Sequence, residues 1–309
     1  MKHYFPFIPV ALAALLGGGR GFALDPAASR PATSTSSCPC APSLRAPQAE
    51  VVELAKGLQL SEGPAADREG NLFFTDVRAN TILKWTPDGK LSTFRAGTAA
   101  ANGLALDSGG NILACEGAAG RIVSFSPAGQ MTIIADRYDG KRFNQPNDLW
   151  IDRKGGIYFS DPVYGKADHF QDAEAIYYIA SDRKQVIRVI GDLVRPNGLV
   201  GSLDGKTLYA TDRGAGKTFR YTIHDDGTLS DKKPFADRSA DGMKIDHEGN
   251  VYLADDALYV YTPSGQLIER IALPQRATNL CFGGKDGHTL FITAKKALYS
   301  LAMRVHRPQ

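Results

Sequence analysis

One short pattern occurs six times along the chain, and it limits the possible folds more than any other feature. Each copy begins with a polar residue ahead of an apolar strand, passes through a tight turn and ends in a second apolar strand. The copies begin at Glu62, Asn102, Asn147, Asn197, Asp241 and Asn279. A unit that recurs every roughly forty to fifty residues is typical of a solenoid or a propeller.

Further strand pairs lie between these copies, such as the segment T-I-L-K-W-T-P-D-G-K-L-S-T-F from Thr81. Four strands per repeat predict an all-β fold, a six-bladed β-propeller with four antiparallel strands per blade, over residues 49–305. The 32 glycines and 17 prolines of the chain suit short strands and tight turns. A β-sandwich with coincidentally similar turns is the alternative, and six units in register argue against it.

The last repeat ends after A-L-Y-S-L-A-M and has no fourth strand. The segment V-V-E-L-A-K-G-L from Val51, just ahead of the first repeat, is a spare strand that can complete it. We therefore expect the N-terminal strand to close the ring, which removes the free edge of an open stack of blades.

The first residues have the pattern of an export signal. Lys2 and His3 precede an apolar run, and G-F-A at Gly21 ends it with small residues, so we predict a signal peptide over residues 1–23. A membrane anchor is the alternative, but the run is short and contains two prolines. The expected location is the periplasm or the exterior of the cell, with no membrane span after the signal is removed.

Residues 24–48 are rich in Ser, Thr, Ala and Pro and are predicted to form a disordered tether, because they cannot bury enough apolar surface to offset their ordering entropy. Cys38 and Cys40 lie in this segment, as an exposed redox pair or as unused thiols. Cys115 and Cys281 lie in apolar strands and are expected to be buried free thiols.

The polar residue that opens each repeat indicates a metal site. The first strand of a propeller blade lies innermost, so these six residues would meet at one mouth of the central channel, and all six carry a side-chain oxygen. Carboxylates and amides without thiolate or imidazole suit calcium, although other divalent cations are possible. The alternative is that Asn-Gly and Asp-Gly only favour turns, which explains Glu62 and Asn279 poorly.

Several other functions are excluded. The formal net charge is +3 and no basic block is present, so no nucleic-acid partner is expected. The chain has no G-x-S-x-G, P-loop or dinucleotide-binding motif. Its six histidines are scattered, which supports neither a serine triad nor a histidine-ligated metal.

Chain direction predicts which loops share the mouth with the polar ring. Connections into each first strand, and those from the second strand to the third, lie on that side. The candidate pocket residues on these connections are Arg142, Asn144, Tyr164, His169 and Arg213.

Five motifs together resemble the regucalcin/gluconolactonase (senescence marker protein-like) family of six-bladed propellers. They are S-E-G-P at Ser61, R-F-N-Q-P-N-D at Arg142, F-S-D-P-V-Y-G at Phe159, R-P-N-G-L at Arg195 and A-D-G-M-K-I-D at Ala240. The resemblance implies one calcium held by Glu62, Asn147, Asn197 and Asp241, each already a member of the polar ring.

The resemblance also implies calcium-dependent hydrolysis of a small-molecule sugar lactone, with Asp241 as the catalytic base and Glu62 as its rival. Arg142 and Asn144 match positions that often contact the sugar. Asn102, Tyr164 and Arg213 are the further residues predicted to bind substrate. Two alternatives stay open: a related propeller esterase or phosphotriesterase, and a non-catalytic propeller that binds a ligand or a protein and holds a structural calcium.

Overall fold

The computed structural model describes residues 43–165 and 168–308. Their regular structure is entirely β, in 24 strands, with no helix in these two ranges. No described helix could therefore span a membrane. The predicted signal peptide, Cys38 and Cys40 lie outside the described residues and stay predictions. Cys115 and Cys281 are buried free thiols, as expected.

Four sheets each contain four antiparallel strands in chain order. The strands are β5 (Ala101–Leu106), β6 (Ile112–Glu116), β7 (Arg121–Phe125) and β8 (Met131–Ala135); β11 (Leu149–Ile151), β12 (Ile157–Asp161), β13 (Ala175–Ile179) and β14 (Val186–Ile190); β15 (Pro196–Gly201), β16 (Thr207–Asp212), β17 (Lys217–Ile223) and β18 (Leu229–Ala236); and β19 (Met243–Ile245), β20 (Val251–Ala254), β21 (Ala257–Tyr261) and β22 (Leu267–Ala272).

A fifth sheet contains both ends of the described chain, and a small ribbon completes the set. The fifth sheet has six strands in the order β23-β24-β1-β2-β3-β4. Its strands are β1 (Val52–Ala66), β2 (Leu72–Asp76), β3 (Thr81–Trp85), β4 (Leu91–Ala96), β23 (Asn279–Gly283) and β24 (Thr289–Ala302), and the ribbon pairs β9 (Arg137–Tyr138) with β10 (Lys141–Arg142).

The described residues thus form a β-propeller arrangement with five large sheets, whereas the sequence predicted six. The difference arises because β1 and β24 are long and continuous. Val52 pairs with Ser300 of β24, and further along the same strand Ala66 pairs with Leu72 of β2. Backbone hydrogen bonds therefore join two groups of strands that the prediction had separated.

The turn after the first strand of most repeats is closed by an aspartate side chain. Asp67, Asp107, Asp152 and Asp246 each accept a hydrogen bond from the backbone N–H four residues later, at 2.7 to 2.9 Å. In the first of these turns Gly70 has φ 90°, a left-handed conformation that glycine adopts without a steric penalty. This local chemistry explains why the turn sequence recurs.

Apolar side chains fill the space between neighbouring sheets. Phe73 and Ile82, for example, belong to one buried cluster with Leu104 and Ile112 of the next sheet. The first strands contact one another in the sequence β1, β5, β11, β15, β19 and β23, and β23 contacts β1. These six strands therefore surround one axis.

The end of the predicted tether packs on the last sheet. Leu44 is buried, and its backbone N–H donates to Glu269 Oε2 at 2.8 Å. Arg45 forms a β-bridge with Met303. Residues 43–46 thus have partners in the folded domain, supplied by the Glu269 carboxylate and the C-terminal strand.

Candidate active site

Most of the predicted polar ring meets in one cavity of about 600 Å3. Its lining includes Glu62, Asn102, Asn147, Asn197 and Asp241. Asn279 does not line the cavity; it is buried, and its Nδ2 donates to Asp148 Oδ2 at 3.2 Å. Five of the six ring positions therefore face a common space at the axis of the propeller.

Bulges direct three of these side chains. The pairing of the first two strands shifts register between Glu62 and Ala65, between Ala101 and Leu104, and between Pro196 and Leu199. A bulge turns a side chain away from the alternating pattern of a regular strand. The polar residue at each bulge can therefore point along the axis, not into a sheet interface.

Glycines after the polar residues let neighbouring inner strands approach closely. Gly103 donates its N–H to Asn147 O, and Gly198 donates to Asp241 O, both at 2.7 Å. A Cβ on Gly103 would lie 2.6 Å from Asp148 Oδ1, and one on Gly198 would lie 2.6 Å from Asp241 O. Only glycine fits at these contacts, because a side chain there would collide with the neighbouring inner strand. The N-G and D-G pairs therefore let the polar residues of the ring come close together, in addition to favouring turns.

The two cavity carboxylates repel each other and are poorly solvated. Burial, followed by the charges of Asp241 and Asp148, raises the pKa of Glu62 well above its usual range. Burial also raises the pKa of Asp241, although Arg213 and Asn197 act in the opposite direction. A cation between these carboxylates would offset both burial and repulsion.

The donor set fits a hard cation such as calcium. Glu62 and Asp241 supply carboxylate oxygens, and Asn147 and Asn197 supply amide oxygens, in the lining of the same cavity. Among residues 43–165 and 168–308, no three His, Cys, Asp or Glu side chains are grouped as a metal site. The chemistry is therefore that of an oxygen-only site with two carboxylates and amides, which disfavours zinc and copper.

Asn197 links the carboxylate side of the cavity to Tyr164. Its Nδ2 donates to Asp241 Oδ1 at 2.8 Å and to the Tyr164 hydroxyl at 2.6 Å. Because the amide nitrogen is used in this way, the amide Oδ1 is directed elsewhere and can act as an acceptor or ligand. Burial raises the pKa of Tyr164, so this hydroxyl keeps its proton at neutral pH.

Of the five candidate pocket residues, Tyr164 and Arg213 line the cavity, whereas Arg142, Asn144 and His169 do not. Arg142 lies 4.1 Å over the Phe170 ring and donates to the carbonyl oxygens of Phe143, Ala118 and Asn144. His169 is exposed.

Asn144 is fully buried, and its Oδ1 accepts the N–H groups of Phe170 and Gln171. The geometry gives Arg142 and Asn144 the task of holding the loop that carries Tyr164. Their direct contact with substrate stays a prediction.

Three functional candidates were missed from the sequence. Asp148 is buried beneath the cavity, at the repeat position where most other repeats have glycine. The sequence signal that could have identified it was N-D-L in place of the usual N-G. Arg276 and Lys295 line the cavity. Arg276 lies on the connection into β23, and Lys295 lies at the bend of β24. The topology places both positions at the mouth of the cavity.

Comparisons with known proteins agree with this geometry. A family model described as the SMP-30/Gluconolactonase/LRE-like region matches residues 60–296. The chain is 30% identical to a gluconolactonase of Zymomonas mobilis over 278 residues, 78% of each protein.

Two solved structures are also similar. A putative gluconolactonase aligns with TM-score 0.81 and 30% identity, covering 86% of this chain and 96% of that one. A gluconolactonase from Xanthomonas campestris aligns with TM-score 0.80 and 30% identity, covering 84% of this chain and 91% of that one.

Proposed function

Because this chain belongs to the SMP-30/gluconolactonase/LRE-like family, we propose that it is a lactonase that opens sugar lactones with the help of a bound calcium ion. The observation that carries the proposal is the convergence of Glu62, Asp241, Asn147 and Asn197 on one cavity. The names of the similar proteins support the lactone as substrate class. The oxygen-only donor set supports calcium.

The four ring residues would hold the ion, and the bound ion would supply Lewis-acid polarisation of the ester carbonyl. Asp241 is the proposed base that accepts the proton of the attacking water. Its Oδ1 accepts from Asn197, and its Oδ2 lies 3.6 Å from Arg213 Nη1. Both neighbours favour the ionised carboxylate, which is the form that a base requires.

Glu62 is better suited to be a ligand than the base. It is held by one weak local hydrogen bond, from Gly63 N at 3.3 Å, and its charge is opposed by two other carboxylates. An ionised Glu62 therefore depends on a cation more strongly than Asp241 does.

Tyr164 is a candidate donor to the substrate. Its oxygen accepts from Asn197, so its own proton is available to a group in the cavity. The loop that carries Tyr164 is fixed by Gln145, whose Oε1 accepts the Tyr164 N–H at 2.8 Å.

We also propose that the six-stranded sheet acts as two blades, so that the propeller has six and the N-terminal strand closes the ring. Thr293 of β24 pairs with Asn279, whereas Ser300 of the same strand pairs with Val52. A buried cluster also contains Phe74 of β2 and Phe291 of β24, as expected where two blades face each other. Six blades would account for the six polar residues that open the repeats around one axis.

The test compares Asp241→Asn with Glu62→Gln across a calcium titration. Turnover of a panel of aldonolactones is followed by acid release, with chelator as the metal-free arm. Asp241→Asn keeps a donor oxygen but loses the proton acceptor, so turnover at saturating calcium should fall about a hundredfold or more. Glu62→Gln should mainly weaken calcium affinity, with activity partly restored at high calcium.

Asp225→Asn is the control, since Asp225 is a fully exposed residue of a β17–β18 turn on the opposite face and should leave both properties unchanged. If Asp241→Asn hydrolysed lactone at the wild-type rate at saturating calcium, Asp241 would be a ligand and not the base. Calcium binding without turnover of any lactone would favour the non-catalytic binding propeller instead.

A further inference from the structure

The two sides of the cavity differ in chemistry. The side built by the first three repeats is apolar or uncharged apart from Glu62, and it presents Leu60, Val77, Ala100, Gly117, Ala118 and Pro146. The side built by the last three repeats carries Asp241 together with the cationic Arg213, Arg276 and Lys295. One side therefore suits a carbon ring, and the other suits negative charge.

Arg213 has unused hydrogen-bonding capacity inside the cavity. Its Nη1 is buried and has no hydrogen-bond partner among the described residues. The nearest carboxylate oxygen, Asp241 Oδ2, is 3.6 Å away, which is too long for a hydrogen bond. A buried donor without an acceptor is costly, so the position calls for an acceptor supplied by a ligand.

Arg276 is directed to the cavity by a carboxylate that it shares. It forms an ion pair with Asp255, and Asp255 also receives Arg238 Nη1 at 3.1 Å. Arg276 thus shares the Asp255 carboxylate with Arg238, which also contacts Asp256 Oδ1 at 3.4 Å.

Lys295 is exposed at the bend of β24 and has φ 53°, a left-handed conformation that is unfavourable for lysine. No ion pair of Lys295 is found within residues 43–165 and 168–308. Unfavourable backbone conformations of this kind persist mainly at functional sites. The bend places this cation at the mouth of the cavity.

The charge balance of the lining is positive. Three cationic side chains face two carboxylates, Glu62 and Asp241, in the lining, and Asp255, outside the lining, pairs with Arg276. Calcium at the two lining carboxylates would leave the cavity with net positive charge. A neutral lactone would supply no anionic partner for Lys295 or for the unsatisfied Nη1 of Arg213.

We propose that the substrate is an anionic sugar lactone, with a carboxylate or phosphate group away from its ester. Arg213, Arg276 and Lys295 would bind this group, and the uncharged side would contact the lactone ring. Guanidinium groups bind the planar or tetrahedral oxygens of such anions through paired hydrogen bonds. This inference rests on the proposed lactonase function and narrows its substrate class.

The test measures kcat/KM of the calcium-loaded protein for three lactones: glucono-1,5-lactone, a glucaric acid monolactone and 6-phosphogluconolactone. The wild type should prefer at least one anionic lactone by about tenfold or more. Arg276→Gln and Lys295→Gln should each lower the ratio of anionic to neutral kcat/KM by about tenfold, mostly through KM. Comparing kcat/KM for the glucaric acid monolactone with that for 6-phosphogluconolactone identifies whether the site prefers a carboxylate or a phosphate.

Lys296→Gln is the matched control, because Lys296 is the next residue, equally exposed and outside the cavity lining. It should leave the ratio unchanged. Equal kcat/KM for neutral and anionic lactones, or an equal effect of the Lys295 and Lys296 substitutions, would overturn the proposal while leaving the lactonase function intact.

If no lactone is hydrolysed, the proposed function fails and the anion site is tested separately. Calorimetry with glucarate and with 6-phosphogluconate then measures binding directly. Binding that Arg276→Gln and Lys295→Gln weaken about tenfold would retain the anion site. Absence of binding to both acids would refute it.

Discussion

Asp161, at the end of β12, is a buried carboxylate that the proposed reaction does not use. Its Oδ2 accepts the backbone N–H of Asn144 at 2.9 Å. Its Oδ1 is buried without a hydrogen-bond partner among the described residues. Burial raises the pKa of Asp161 to about 7, and the hydrogen bonds from Asn144 and Gln145 only partly oppose that effect.

The raised pKa makes stability depend on pH with a defined sign. The folded state keeps the proton of Asp161 up to about pH 7, whereas the unfolded chain loses it near its usual value of 3.8. Between these values the folded state binds more protons, so the free energy of unfolding falls as pH rises. The loss from this one group is about 4 kcal/mol at full ionisation, and about 3 kcal/mol of it falls between pH 5 and pH 8.

Asp161→Asn removes the titration and retains an oxygen for the Asn144 N–H. Urea unfolding at pH 5, 6, 7 and 8, at fixed saturating calcium, should show the variant gaining about 3 kcal/mol relative to wild type across this range. Asp136→Asn is the control, because Arg137 lowers the pKa of the half-buried Asp136 and no gain with rising pH is expected. Parallel pH profiles for wild type and Asp161→Asn would refute the reasoning.

Two further substitutions test the packing of the ring. Gly103→Ala should lower the free energy of unfolding by about 1–3 kcal/mol in thermal or urea unfolding, because its Cβ would collide with Asp148; Gly109→Ala, near flexible side chains only, should cost less. Leu58→Ala should cost about 2–4 kcal/mol, since Leu58 of β1 is buried in one cluster with residues of β2, β23 and β24, whereas Val52→Ala, at an exposed position, should cost little. Equal effects within either pair would contradict the corresponding contact.

The cavity residues on the inner strands could be predicted from the sequence because each repeat is a local unit. A polar residue at the same point of every repeat has to meet its equivalents once the repeats are arranged around an axis. Asn102, Asn147 and Asn197 illustrate this, since their positions follow from register alone. Asn279 occupies the equivalent position but turns to Asp148, because Gly242 leaves room for its side chain on that side.

Loop residues could not be placed in the same way. The motif around Arg142 indicated substrate contact, yet Asn144 is enclosed by the backbone of residues 170–173. That enclosure depends on how a long connection folds back, which no periodic pattern records. The separation of the sheets was also beyond the sequence, because nothing in it marks how far β1 and β24 continue without a break.

The glycines of the repeats have a packing role that the sequence did not indicate. Asn-Gly and Asp-Gly could have indicated turns or a metal ring, and the structure gives the glycine a third role as the point where one inner strand crosses close to the next. Close approach brings the polar side chains together, so each glycine acts with the polar residue that precedes it. Asp148 replaces that glycine in the third repeat and so puts a carboxylate under the cavity, where it raises the pKa of Glu62. The repeat that breaks the pattern thereby adds negative charge next to Glu62.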